Sequence, residues 1–209
     1  MLTSVAGNEK AIGYISLGAL NDTVKAVKVD GAEATVDNVK AGAYKLSRPF
    51  NIATKGEPTG VAKDFINFIL SKEGQAVVTD NKYIAVNDAA ESFVSDGSSG
   101  QIAVGGSSSV SPVMEKLIEA YKSVNPNASI DLQTSDSTSG MTGTMDGTFA
   151  IGMASRELKD EEAAQLTGTA IALDGIAVIV NPANTIDELS MDQIKSIYVG
   201  DITDWGDLA

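Results

Sequence analysis

Short apolar runs separated by polar, glycine-bearing breaks dominate this chain, and their period changes along it. Ala11-Ile12-Gly13-Tyr14-Ile15-Ser16 is β-rich. Val24 to Val29 alternates weakly and meets Asp30-Gly31, a turn signal that predicts a hairpin returning through Ala32 to Val36. Phe50 to Thr54, entered through Arg48-Pro49, predicts another strand. Beyond Thr59, a residue type suited to a helix N-cap, Val61, Phe65, Ile66, Phe68 and Ile69 recur at helical spacing. A second helical stretch covers Ser71 to Asp80, and Tyr83 to Val86 predicts a strand. Between Asn87 and Gly100 the pattern dissolves into small polar residues, which is linker chemistry. A junction is expected there.

After it, strands and helices alternate regularly. Ile102 to Gly105 predicts a strand, and Ser111-Pro112 opens a helix with Ser111 as N-cap and Val113, Leu117 and Tyr121 on one face. Ser129 to Gln133 and Phe149 to Ala154 predict strands, and Ser139 to Asp146 and Glu161 to Leu166 predict helices. Ala170 to Asn181 is a long apolar strand region broken at Asp174-Gly175, and Met191 to Val199 is a helix. Such alternation argues an α/β fold with a largely parallel sheet.

Composition narrows the chemistry. At 209 residues and 43% hydrophobic, the chain can bury a sizeable core without metal or disulfide support. A formal charge of −13 and a pI near 4.3 make nucleic acid and anionic membrane poor partners, since both demand a basic face. There is no Cys, hence no disulfide and no thiolate chemistry; there is no His, hence no imidazole catalysis and no H-E-x-x-H zinc site. No run approaches the roughly 18 apolar residues of a membrane span. Met1 to Gly7 has neither a basic start nor a long apolar run, so no signal peptide is expected there.

Two stretches could carry binding chemistry: Gly105-Gly106-Ser107-Ser108-Ser109-Val110-Ser111-Pro112 and Ser135-Asp136-Ser137-Thr138-Ser139-Gly140. Each lies between a predicted strand and a predicted helix, the carboxyl edge where open α/β sheets bind ligands. Helix starts offer backbone N–H groups and the positive dipole end, and serine hydroxyls add uncharged donors. Together they would cradle an anion; taken alone, either stretch also reads as a flexible loop. A third candidate, Ser155-Arg156-Glu157, again ends a strand. Arg156 supplies a fork either to an oxyanion or to Glu157 or Asp160 at the surface. Asp174 sits inside an apolar run, where a carboxylate is costly; it begins a turn or accepts a specific hydrogen bond, and the following Gly favours the turn. No Walker loop or G-x-G-x-x-G is present.

These residues bring out a resemblance. Gly-Ser-Ser-Ser-Val-Ser-Pro-Val-Met-Glu-Lys-Leu from Gly106, Ile-Gly-Met-Ala-Ser-Arg-Glu-Leu from Ile151, Ala-Leu-Asp-Gly-Ile-Ala-Val-Ile-Val-Asn-Pro from Ala172 and Gly-Asp-Ile-Thr-Asp-Trp from Gly200 resemble the amino-terminal part of the substrate-binding proteins of phosphate ABC transporters. Ala-Ile-Gly-Tyr-Ile-Ser-Leu-Gly from Ala11, Val-Lys-Val-Asp-Gly from Val27, Leu-Ser-Arg-Pro from Leu46 and Thr-Lys-Gly-Glu-Pro from Thr54 resemble that family's carboxy-terminal part. The order is inverted relative to the usual family arrangement.

The resemblance implies one lobe of a type II periplasmic-binding-protein fold: α/β, with a mixed, mostly parallel sheet flanked by helices. It would be built from residues 8–86 and 101–209, joined by the linker 87–100. It implies inorganic phosphate as ligand, Ser108, Ser109, Ser137 and Ser155 as ligand contacts, no cofactor, no metal and no catalysis. Its partners would be an ABC permease and a second lobe, and its location outside the cytoplasm. Many relatives follow the last of these serines with an Asp that accepts the proton of hydrogen phosphate; Arg156 stands here instead, leaving Asp174 as the acceptor by elimination. An exposed interlobe face makes self-association an expectation. Two other readings stand beside it. One is a permuted or truncated lobe with no independent ligand binding; the other is a serine hydrolase, which lacks a His base.

Overall fold

The computed structural model describes residues Met1–Leu208. In chain order the elements are α1 (Leu2–Ala6), β1 (Ile12–Ser16), β2 (Lys25–Ala26), β3 (Lys28–Val29), α2 (Val36–Lys40), β4 (Ser47–Thr54), α3 (Gly60–Leu70), α4 (Lys72–Asp80) and β5 (Gly100–Ser107). Then come α5 (Ser111–Val124), β6 (Ala128–Ser135), α6 (Ser137–Met145), β7 (Ile151–Ala154), α7 (Asp160–Ala163), β8 (Thr167–Val180), β9 (Glu188–Leu189) and α8 (Met191–Val199). No helix among them is long and apolar enough to cross a membrane.

Backbone contacts divide the chain into two compact units, Met1–Ser47 with Asp174–Ala209, and Arg48–Leu173. These boundaries differ from the expected assembly of 8–86 and 101–209 through a linker. They fall at the start of β4 and within β8, while residues 87–100 lie inside the larger unit.

In the larger unit the strand order is β8, β4, β7, β5, β6. β5 pairs in parallel with both β7 and β6, and β4 runs antiparallel to β7. Side chains alternate between the two faces of this sheet. Phe50, Ile52, Ile151 and Met153 enter a core with Phe65, Phe68, Leu117 and Tyr121 of α3 and α5, whereas Ala53 and Ala154 join Met141 of α6. The sheet is therefore mixed and flanked by helices, as the family resemblance implies.

Residues 87–99 form no helix or strand, yet they are fastened. Asp64, 1% exposed in α3, accepts hydrogen bonds from Ser95 Oγ (2.7 Å), Asp96 N–H (3.0 Å), Tyr121 Oη (2.7 Å) and Asn125 Nδ2 (3.1 Å). Phe93 stacks edge-on against Phe68, 5.2 Å between centroids, and its N–H donates to Glu73. The polar composition that reads as a flexible linker supplies the donors for a buried carboxylate.

In the smaller unit, β1 and β2 both pair antiparallel with the last residues of β8, and β3 pairs in parallel with β9. Asp30 and Gly31 form the expected tight turn, with φ of 48° and 80°, and Val29 and Ala32 exchange backbone hydrogen bonds. No returning strand follows, because Thr35 accepts the Asn38 N–H and starts α2 instead. Tyr83 to Val86 likewise forms no strand. Only Ile84 bridges to Leu173, and the N–H of Val86 goes to the Gln75 side chain. The break expected at Asp174-Gly175 is absent, since β8 runs straight through it.

Asp64 generates a stability prediction. Burial pushes its carboxyl up, but hydrogen bonds from Asp96, Ser95, Tyr121 and Asn125 outweigh burial and hold it below the ordinary carboxylate value. A lowered folded value means this stabilisation is full above the unfolded value near 4 and fades as pH falls through the folded value. Asp64→Asn leaves donors facing an amide and should cost about 1–3 kcal/mol in denaturant unfolding at neutral pH. The deficit should shrink in acid, and limited proteolysis should cut the variant faster within residues 93–99.

Candidate functional site

Because β5 pairs in parallel with both β6 and β7, three adjacent strands end at one edge. Register makes those ends level: Ser107 pairs with Ser135, and Gly106 with both Thr134 and Met153. With strands about 4.8 Å apart, the loops after Ser107, Ser135 and Ala154 are immediate neighbours. The sequence-predicted Ser108, Ser109, Ser137 and Ser155 all lie in these loops, within the larger unit.

Close packing holds the loops in place. Gly106 has φ of 134°, and a Cβ there would lie 2.3 Å from the Met153 carbonyl oxygen. A Cβ on Gly140 would lie 2.7 Å from the Gly106 Cα and 2.8 Å from the same oxygen. Only glycine lets α6 rest on β5 and β7 this tightly. Ser108 N–H extends the β5–β6 ladder by donating to Ser135 (2.9 Å), and Ser155 N–H donates to Ser137 Oγ (3.2 Å).

The donor inventory follows. Ser108 is exposed, and Ser109, Ser137 and Ser155 are half-buried. Since Ser137 Oγ accepts from Ser155, its own proton is directed elsewhere and can serve a ligand. Ser111 is not the N-cap expected; Val110 caps α5, and Ser111 is buried with its hydroxyl against Ser107 carbonyl (3.2 Å) and Thr134 Oγ1 (2.8 Å). Helical geometry leaves the first N–H groups of α5 without intrahelical acceptors, and Pro112 contributes none.

Two charged groups border these donors. Asp136 caps α6, its Oδ1 accepting from Thr138 N–H (2.8 Å) and Ser139 N–H (3.0 Å) and its Oδ2 from Ser139 Oγ (2.6 Å). The Ser139 hydroxyl and N–H, with the Thr138 N–H, hold its carboxyl below the ordinary value. Arg156 sets its fork on Glu162, at 2.7 and 2.8 Å, and its Nη2 reaches Thr138 Oγ1 at 3.4 Å. Glu162 is 2% exposed, and the Arg156 fork holds its carboxyl below the usual range against burial, helped by the Lys159 N–H. Neither Glu157 nor Asp160 takes the guanidinium as a side-chain ion pair; Arg156 binds only the carbonyl of Glu157 (2.9 Å).

Asp174 belongs to the smaller unit. It is 1% exposed and accepts from Ser16 Oγ, so its carboxylate answers a specific donor and not a turn. No group of three or more His, Cys, Asp or Glu is placed to hold a metal ion among the described residues.

The comparisons with known proteins agree on one family. Residues 92–209 match the family model described as a PBP superfamily domain. A phosphate-binding protein PstS 2 of Streptococcus agalactiae is 52% identical over 211 residues, covering 100% of this chain and 72% of that protein. The chain belongs to the substrate-binding proteins of phosphate ABC transporters. A PstS 2 of Streptococcus pneumoniae is 48% identical over 205 residues, covering 98% of this chain and 70% of that protein. A crystal structure of a phosphate ABC transporter's phosphate-binding protein from S. pneumoniae TIGR4 aligns with TM-score 0.90 and 47% identity, over 100% of this chain and 81% of that one. Alignment across the whole chain means that the Ile-Gly-Tyr segment precedes the serine loop in the S. agalactiae relative too. The inverted order is an inherited arrangement.

Sequence reasoning gave no individual role to four structural residues: Gly106, Gly140 and Asp136, which stand inside the two candidate stretches, and Glu162. Asp136 carried a signal, because an Asp immediately before a Ser-Thr-Ser run is a strong N-cap. The glycines carried none, since their reason is a neighbour far along the chain. Gly140→Ala should lose about 1–3 kcal/mol through overpacking. Amide resonances of Ser108, Ser137 and Ser155 should shift together in the NMR spectrum of that variant, because one helix seats all three loops.

Proposed function

We propose that the Ser108–Ser109, Ser137 and Ser155 loops form an oxyanion site that takes inorganic phosphate, and that the protein is a transport receptor and not an enzyme. The observation that carries this reading is the level ending of β5, β6 and β7, which gathers uncharged donors from three loops at one edge. Relatives at 48–52% identity carry the name phosphate-binding protein, which supports phosphate over other oxyanions. Ser hydroxyls and the opening N–H groups of α5 hold the anion. Arg156 steadies the β7 loop through Glu162, and Asp174 takes no part. The protein would work outside the cytoplasm and deliver phosphate to an ABC permease.

Catalysis lacks a base. Asp136 and Arg156, which flank Ser137 and Ser155 in the chain, are spent on a helix cap and on an ion pair. A serine nucleophile needs an adjacent proton acceptor held free for it.

Affinity follows from exposure. With Ser108 exposed and the other three serines half-buried, each hydrogen bond competes with water and gains only about 0.5–1.5 kcal/mol. Three or four such bonds give a dissociation constant around millimolar at about 4 kcal/mol. Titration calorimetry with phosphate should show this for the chain, and Ser109→Ala or Ser155→Ala should weaken it about two- to tenfold. A chromogenic phosphate monoester should not turn over. Turnover, or unchanged affinity in both serine variants, would overturn the reading.

A further inference from the structure

An oxyanion site gains from every helix N-terminus aimed at it, yet here one of the two is already filled. The carboxylate of Asp136 takes both the Thr138 and Ser139 N–H groups, and the Ser139 hydroxyl as well. Asp136 directly follows Ser135, which pairs with Ser107 at the end of β5, so the carboxylate is carried on a loop next to Ser108. Its other neighbour, Ser137, holds the Ser155 N–H. The guanidinium of Arg156 sets its fork on Glu162 and not on Asp136.

We infer that Asp136 is an internal competitor at this site: its carboxylate occupies the α6 donors and opposes a bound oxyanion, setting the affinity below what the loops alone would give. This rests on the oxyanion reading of the serine loops and adds the group that regulates them. An anion entering the site finds the opening N–H groups of α5, and at α6 an acceptor of its own sign. Like charges a few ångströms apart near a surface repel appreciably, and salt weakens that repulsion. Asp136 is a positioning and specificity residue, since its hydrogen bonds go to the helix.

The test separates charge from capping. Asn caps a helix about as well as Asp, so Asp136→Asn keeps α6 while removing the charge. Asp146→Asn, at the opposite end of α6, changes net charge equally and serves as the control. Inorganic phosphate is titrated calorimetrically into the parent chain and both variants, at low and high salt. We expect Asp136→Asn to bind phosphate about five- to tenfold more tightly at low salt, with the gain shrinking at high salt and Asp146→Asn showing little gain. Binding in the parent with no gain in Asp136→Asn, or an equal gain in Asp146→Asn, overturns the inference and leaves the serine site standing. No phosphate binding by any of the three overturns both. A circular dichroism spectrum matching the parent shows that α6 persists in the variant.

Discussion

The contact between Gly140 and Gly106 governs how the serine loops are displayed. Where two backbones approach until neither tolerates a Cβ, the helix has no freedom to slide along the sheet. That seat fixes the first turn of α6, and with it Ser137, against the ends of β5 and β7. Ser137 then receives the Ser155 N–H, so the third loop is tied to the second. The first loop is tied to the second by the Ser108–Ser135 ladder bond and by Ser111 against Thr134. Three loops of small polar residues are tied together by the glycine seat, one ladder bond and the hydroxyls of Ser137, Ser111 and Thr134.

Rigidity of this kind matters for a chain of charge −13. Long-range potential repels anions, so the proposed oxyanion site would depend on short-range donors fixed beforehand. The structure spends its charges elsewhere. Arg156 sits at the right edge, but its fork is closed on Glu162, 2% exposed, and it serves to fix the turn into α7. Breaking such a pair would leave a buried carboxylate unmatched, so the arginine is held in place.

Much of this was legible in the sequence where the cause was local. Apolar spacing placed α3 and α5, and strand–loop–helix alternation put the serine loops at a carboxyl edge. Failures track distance along the chain. Asp30-Gly31 makes its turn, but Thr35 three residues after Ala32 caps a helix and cancels the hairpin. Asp174-Gly175 looked like a break because the partner of Asp174 is Ser16, 158 positions away. The polar stretch 87–99 looked loose because its acceptor, Asp64, lies in another helix. In each case a local propensity was overruled by a tertiary partner that no window of sequence contains.

The three carboxylates Asp64, Asp174 and Glu162, each 2% exposed or less, show why such partners decide the fold. A buried carboxylate without donors would be strongly unfavourable, so each one commits the chain to bring specific groups to it. Asp64 commits the 93–98 stretch, Asp174 commits the end of β1, and Glu162 commits the loop after β7. Asp136 differs in being exposed: burial does not force its donors upon it, and a helix cap alone could be supplied by Ser, Thr or Asn without charge. An ionised cap beside the proposed oxyanion site is therefore, of these four carboxylates, the one whose charge the fold does not require, and its consequence has to be sought in what approaches the loops from outside.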